Sequence, residues 1–271
     1  MKRFAVIGDP IAHSLSPALH SEVFRQIGFE VTFEKIHVKP DTLHSFMGSH
    51  RLDGFNMTIP HKQSIIPFLD ELDDAAQSIG AVNCVHKGKG FNTDWVGFLK
   101  TMEVNKVLLK GKDCVILGAG GAARAIAYAF IQSKVKSIII LNRTLEKAKK
   151  LTQWIQQTST EIETYEHMNA SQHDHIIINC TPVGMWPDVE SMPDIEIQKG
   201  QILADTIYNP LETAWLKKGK EIGAKTVGGL DMFIAQGLAS ADIWFNEKIS
   251  EKVDIDKIRK ILINKLTDQL S

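Results

Sequence analysis

The run Gly118-Ala119-Gly120-Gly121-Ala122-Ala123 constrains this chain more than any other segment. It lies between an apolar stretch, Cys114-Val115-Ile116-Leu117, and a helix-forming stretch over residues 124–131. A short apolar run, a cluster of small residues and a helical pattern in that order specify a buried strand, a tight turn and a helix. Gly118 permits the turn, and Gly120 lets the backbone approach a pyrophosphate at the positive end of the helix. Ala123 stands where a third glycine is common and is small enough for the helix to pack closely on the strand. The turn residues Gly118, Ala119, Gly120, Gly121 and Ala122 are therefore candidate dinucleotide contacts.

Around this unit the chain alternates strand and helix patterns: strand 114–117, helix 121–133, strand 137–141, helix 144–157, then strands near 162–165, 175–179 and 201–205. That order predicts a Rossmann dinucleotide-binding domain. A separate alternating series precedes it, with strands at 3–7, 31–38 and 54–58 and helical patterns at 17–27 and 40–47. Residues 70–79 read as a further helix, 81–85 and 90–92 as short strands, and 93–104 as a helix with one apolar face. The polar, glycine-containing segment 105–113 separates the two series. Two long helical patterns close the chain, about 231–246 and 254–270. The reading is an α/β protein in two domains. Residues 1–104 with 238–271 form an N-terminal α/β substrate domain with a mostly parallel sheet, to which the C-terminal helices return, and 105–237 form the Rossmann domain. Ser16-Pro17 reads as a helix start with serine as N-cap.

Length and charge narrow the partner. A chain of 271 residues exceeds the usual single domain, and its 31 basic residues balance 32 acidic ones along the whole length. No basic face is on offer to nucleic acid or to an anionic membrane, so the expected partner is a small molecule, with the chain a monomer or a homodimer. Cys84, Cys114 and Cys180 are far apart and form no CxxC, which predicts free thiols. The opening MKRFAVIGDP has neither the apolar stretch nor the cleavage site of a signal peptide, and no apolar run approaches membrane-spanning length. Cytoplasm is the expected compartment.

The strand at 137–141 ends in Asn142-Arg143-Thr144. An NAD enzyme usually places an acid at this tip for the ribose hydroxyls. Here a guanidinium flanked by an amide and a hydroxyl suits a 2′-phosphate, so Asn142, Arg143 and Thr144 predict NADP(H). The alternative is that Glu146 takes the ribose and Arg143 merely caps a loop.

Polar clusters interrupt the apolar segments at predicted strand ends and helix starts: Ser14 and Ser16, Asn56 to Lys62, Asn83, Asn92 to Asp94, and Gln236. In a parallel sheet such ends converge on one edge, where ligands bind. Together with GDPIAHSLSPALH at 8–20, GFNMTIPHK at 54–62, GAVN at 80–83, NTDW at 92–95, GAGGAARA at 118–125, NRT at 142–144, NCTPVGM at 179–185, IYNP at 207–210 and GGLDMFIAQG at 228–237, these clusters make the chain resemble the shikimate dehydrogenases over essentially its whole length.

The resemblance implies NADPH-dependent, reversible reduction of 3-dehydroshikimate to shikimate. It implies that Lys62 and Asp94 are the catalytic pair, and an ammonium beside a carboxylate can indeed polarise a carbonyl and move a proton. Ser14 and Ser16 resemble the pair that binds the substrate carboxylate, a role Ser16 can share with helix capping. Thr58, Asn83 and Gln236 look like contacts to the substrate hydroxyls, and Tyr208 like a tyrosine that closes on the bound acid. Gly229 and Met232 fall where the family approaches the nicotinamide; Asp231 between them is unexpected. No metal is expected, because hydride reduction needs positioning and proton transfer, and His173 and His175 read as a surface loop. Three alternatives stand beside this reading: a quinate/shikimate dehydrogenase, a non-catalytic NADP-binding sensor, and a folate-linked dehydrogenase. The first is disfavoured by the Arg143 tip, the second by retention of both Lys62 and Asp94, the third by the Ser14, Ser16 pair.

Overall fold

The structure is a computed structural model that describes residues 1–165 and 176–268. The expected surface loop at His173 and His175 lies outside the described residues. The chain divides into two compact units, Met1–Gly97 with Ile234–Ser271, and Phe98–Phe233.

The first unit carries β1 (Lys2–Gly8), α1 (Ser16–Ile27), β2 (Val31–His37), α2 (Leu43–Ser49), β3 (Gly54–Met57), α3 (His61–Ser64), β4 (Glu71–Leu72), α4 (Asp74–Ile79), β5 (Cys84–His86), β6 (Lys89–Phe91) and the start of α5 (Asp94–Val104). Its six strands lie in the order β2-β1-β3-β5-β6-β4, and β5 alone runs against the rest. One face of the sheet buries Ala5, Ile7, Phe55, Met57 and Val85 in a continuous core. On the other, Phe4 stacks on Trp244 with ring centroids 4.7 Å apart. Gly54 is required there, because a Cβ would sit 2.6 Å from the Trp244 indole.

Register places the site. Ile7 pairs with Met57, and the next amide, that of Thr58, donates to the Ile7 carbonyl at 3.0 Å. The chain leaves β3 there and turns into α3, which starts at His61.

The second unit continues from α5 with β7 (Asp113–Leu117), α6 (Gly121–Gln132), β8 (Ser137–Leu141), α7 (Leu145–Thr158), β9 (Glu163–Tyr165), β10 (Ile176–Asn179), β11 (Ile202–Asp205), α8 (Ala214–Ile222) and β12 (Lys225–Val227), and holds the first turn of α9 (Leu230–Phe245). The strands are all parallel in the order β12-β11-β10-β7-β8-β9, the doubly wound arrangement of a Rossmann domain. Ala123 on α6 is fully buried, as its replacement of a third glycine requires.

The rest of α9 and α10 (Ile255–Asp268) belong to the first unit, where α10 packs on α1 through Ile258, Leu262 and Leu266. The division at 97/98 and 233/234 falls inside α5 and α9, a few residues ahead of the junctions expected at 104 and 237. A continuous helix offers no compositional break to mark such a point.

Four local expectations are corrected. Residues 70–79 are not one helix: β4 occupies Glu71–Leu72, and α4 starts anew after Asp73, whose carboxylate accepts from the Ala76 amide at 2.8 Å. Residues 40–47 are a 3-10 turn over Pro40–Thr42 that runs into α2. The strand expected from Ala81 begins only at Cys84. Ser16 is the first helical residue rather than the N-cap, which is Leu15; α1 has no side-chain cap. Helix α8 and strand β12 had no counterpart in the sequence reading.

Candidate active site

In the first unit, Lys62 is the second residue of α3 and Asp94 the first of α5. A carboxylate at a helix N-terminus is favoured by the dipole. The Lys62 ammonium donates from Nζ to Asp94 Oδ2 at 2.5 Å, with side-chain exposures of 18% and 7%. The pair is thus mostly enclosed yet open on the lysine side, where the remaining ammonium protons can reach a ligand.

Asn83 completes the carboxylate. Its Oδ1 accepts from the Thr93 backbone amide at 2.7 Å, and because a peptide N–H can only donate, the other end of the side chain must be the NH2 group. That Nδ2 donates to Asp94 Oδ1 at 2.8 Å and also faces Thr93 Oγ1 at 2.9 Å and Gln236 Oε1 at 3.2 Å. Asn92 steadies the same turn: its Oδ1 accepts from the Asp94 amide at 3.1 Å, and its Nδ2 donates to the Ala81 carbonyl at 2.9 Å. The structure therefore brings Lys62, Asp94, Asn83 and Gln236 into one hydrogen-bonded group.

Ser14 and Ser16 form a separate pair. Ser14 Oγ donates to Ser16 Oγ at 3.2 Å and accepts from the Ser16 amide at 3.3 Å, so two hydroxyls stand together at the start of α1. Thr58 lies half-buried just past β3; its Cγ2 would be 2.5 Å from a Cβ on Gly8, so a side chain at Gly8 would displace it.

In the second unit, Gly118 adopts φ +111° and stands against the Cys180 carbonyl, 3.2 Å from where a Cβ would be. Its amide donates to the Leu141 carbonyl at 2.7 Å, tying the turn to the tip of β8. Gly120 is the N-cap of α6 and supplies no side-chain acceptor, while a Cβ there would meet nothing within 4 Å. Ala119, Gly121 and Ala122 are partly exposed on the same turn. Free first-turn amides facing open space fit a phosphate-bearing cofactor. Beyond β8, Arg143 and Thr144 are exposed, and Asn142 Nδ2 donates to the Thr144 carbonyl at 2.8 Å. Glu146, the alternative ribose ligand, lies 3.7 Å from Lys149.

Tyr208 packs on Phe233 with centroids 4.3 Å apart. Gly229 is obligatory, since a Cβ would lie 2.5 Å from the Ile207 carbonyl oxygen. Met232 is buried in the first turn of α9, and the unexpected Asp231 is explained there as the acidic residue of a helix N-terminus.

The sequence reading passed over several buried polar residues. In the second unit Asp205 accepts from the Ile207 amide (2.9 Å), Thr213 Oγ1 (3.0 Å) and Asn179 Nδ2 (3.3 Å); burial nonetheless pushes its carboxyl up to about 6. In the first, His20 and Ser240 lie behind Asn83 beside Thr93 of the Asn92 to Asp94 cluster, and burial holds the His20 imidazole down at about 3 against the opposing bond to Asn56. Both serine and histidine sit inside apolar helical patterns, where they read as packing residues. The three cysteines are free, and burial raises the Cys84 thiol to about 12. Among the described residues no helix is long and apolar enough to cross a membrane.

Comparison with known proteins bears on both units. Residues 6–85 match the family model described as shikimate dehydrogenase substrate binding domain, and residues 101–184 the one described as shikimate / quinate 5-dehydrogenase. The chain is 38% identical to the shikimate dehydrogenase (NADP(+)) of Bacillus cereus, over 97% of this chain and 98% of that one. Among solved structures, a shikimate dehydrogenase in complex with NADP+ superposes with a TM-score of 0.88 at 36% identity, covering 98% of this chain and 96% of that one. The Thermus thermophilus shikimate 5-dehydrogenase, solved with NADP(H) and shikimate, gives 0.84 at 30% identity, covering 98% and 100%.

Proposed function

Because the chain belongs to the shikimate dehydrogenase family, we propose that it catalyses the reversible, NADPH-dependent reduction of 3-dehydroshikimate to shikimate, an oxidoreductase step of aromatic amino-acid and chorismate biosynthesis. The observation that carries the assignment of roles is the Lys62–Asp94 pair at 2.5 Å, with the second carboxylate oxygen held by Asn83.

NADPH, when bound, supplies the hydride. The side chains do the rest. As hydride reaches the carbonyl carbon, negative charge grows on the oxygen, and the Lys62 ammonium is the proton donor for it; in the oxidation direction the neutral amine takes the proton back. Asp94, an acceptor with both oxygens occupied, fixes the lysine's direction. Ser14 and Ser16 donate to the substrate carboxylate, and Thr58, Asn83 and Gln236 bind its ring hydroxyls. A site of hydroxyls and amides rejects apolar analogues because its own groups would be left unpaired.

On the cofactor side, the α6 N-terminus with Gly118, Ala119, Gly120, Gly121 and Ala122 would hold the pyrophosphate. Arg143 with Asn142 and Thr144 would hold the 2′-phosphate, and Gly229 and Met232 would border the nicotinamide. We assign the protein to the cytoplasm.

The test is absorbance at the NADPH band with shikimate and NADP, repeated with quinate, with NAD, and with Lys62→Ala. Turnover confined to shikimate with NADP, and nearly lost in the variant at little change in substrate KM, is the expected result. Comparable turnover of quinate with NAD would overturn the substrate and cofactor assignment, and undiminished turnover by Lys62→Ala would overturn the role of the lysine.

A further inference from the structure

Behind the Lys62–Asp94 pair a line of polar side chains runs through the apolar interior of the first unit. Asn83, Thr93, Ser240, Asn56 and His20 are all at most 5% exposed, and Ser240 and His20 are fully buried. The donor and acceptor ends of both asparagines and the tautomer of His20 follow from their partners.

Asn56 Nδ2 donates to the Asn83 carbonyl at 3.1 Å, which can only accept, so Asn56 Oδ1 is the atom that faces His20 Nε2 at 3.2 Å. His20 is therefore the tautomer protonated on Nε2, and its Nδ1 has no partner among the described residues. The same Nδ2 donates to Ser240 Oγ at 2.8 Å. Ser240 spends its own proton on the Gln236 carbonyl at 3.0 Å, one helical turn back, and the Thr93 hydroxyl faces two acceptors at 3.3 Å, Ser240 Oγ and Asn83 Oδ1. Thr93 Oγ1 is then left to accept from Asn83 Nδ2.

Asn83 is consequently gripped at both ends. Its backbone carbonyl accepts from the Asn56 side chain and from the Met57 amide at 2.9 Å, and its side chain is fixed by Thr93. The remaining freedom, the direction of its NH2 group, is spent on Asp94 Oδ1. Burying this much polar surface earns little stability over apolar packing, but hydrogen bonds that tie both ends of Asn83 specify one geometry for it.

We propose that His20, Asn56, Thr93 and Ser240 form a buried brace that sets the orientation of Asp94 through Asn83, which makes His20 and Ser240 positioning residues for the reaction at Lys62. The inference rests on the functional reading given above. Among the described residues no brace side chain hydrogen-bonds to Lys62, whose ammonium is held by Asp94.

The test uses three full-length variants, Ser240→Ala, His20→Met and His20→Gln, with rates normalised to the folded fraction from circular dichroism. Methionine and glutamine both remove the imidazole, but only glutamine keeps an N–H donor for Asn56 Oδ1. Ser240→Ala and His20→Met are expected to lower kcat by about tenfold or more, the scale of a small misplacement of a catalytic group. The KM for NADP stays unchanged, and His20→Gln stays within about threefold of wild type. A residue that merely fills space would not give this split, in which kcat falls at constant KM for NADP and restoring the N–H donor alone restores the rate. Equal kcat in the methionine and glutamine variants would overturn the brace, and the His20 pair decides the matter even if Ser240→Ala does not fold. No turnover by the wild-type chain would overturn the functional reading, and the brace with it.

Discussion

Replacing His20 by glutamine should change how the stability of the first unit depends on pH, and the size of the change follows from its burial. The imidazole is fully buried, its one bond is a donated one to Asn56, and it is neutral in the fold with a pKa of about 3, against 6.5 when unfolded. A histidine whose folded pKa is depressed contributes stability that is complete above its unfolded pKa and is lost as pH falls toward the folded one. Between pH 7.5 and pH 5 the unfolded chain takes up a proton that the fold refuses, which removes about 2 kcal/mol. With a urea m-value of about 1–2 kcal/mol/M for a unit of this size, the wild-type midpoint should fall by about 1–2 M relative to the variant over that range. Glutamine does not titrate, so subtracting one midpoint curve from the other isolates this residue from every other ionisable group. Urea unfolding at a series of pH values, with pulse proteolysis to identify the unit that opens, makes the measurement. Two curves that stay parallel from pH 7.5 to 5 would refute the reasoning, because a histidine open to water or charged in the fold would give no such difference.

The second unit should respond to acid in the opposite sense. Asp205, raised to about 6 by burial, binds its proton more tightly in the fold than in the unfolded chain, so its contribution to stability grows as pH falls from above 6 toward 4 and is lost as pH rises through 6. Asp205→Asn should abolish a slope of about 1 kcal/mol between pH 7.5 and 5, read from the unfolding midpoint of that unit; a slope that survives the substitution contradicts the assignment. Arg143→Ala should raise KM for NADPH by about 10–100-fold while leaving KM for NADH nearly unchanged, since a charge-assisted pair to the 2′-phosphate is worth about 1.5–3 kcal/mol. An equal effect on both cofactors would return the ribose to Glu146.

Much of the fold was legible because its signals are local. The glycine turn at 118–121 stands between a strand and a helix as its spacing requires, and the strand at Ser137–Leu141 falls at the expected residues. The misread segments share a cause. In residues 70–79 the capping aspartate Asp73 separates β4 from α4 within a helix-compatible run of mixed polar and apolar residues, and periodicity does not register that break. Ala81 and Val82 are apolar and strand-like, yet they belong to the turn that delivers Asn83 to Asp94; tertiary hydrogen bonds set that boundary. Within the candidate site, the polar residues at strand ends announced themselves because solvent-facing loops seldom need several amides together. His20 and Ser240 did not, because a polar residue in an apolar helix face looks like its neighbours until its partners, 36 residues away for His20 and 184 for the Asn56–Ser240 bond, are folded against it.

The hydrogen-bonded line behind Asp94 begins with the amide of Asn83 and continues through that of Asn56 before it reaches His20. Amides of this kind neither take up nor release a proton, so traffic between the catalytic pair and the solvent passes on the open side of Lys62. Transfer into heavy water would accordingly label the ammonium at once, while the Nε2, amide and hydroxyl protons of the interior would await a transient opening of the unit. An isotope effect on turnover recorded within seconds of mixing would thus report on the lysine and the other groups open to solvent, and any slow drift in it over the following hours would time the breathing of the interior behind them.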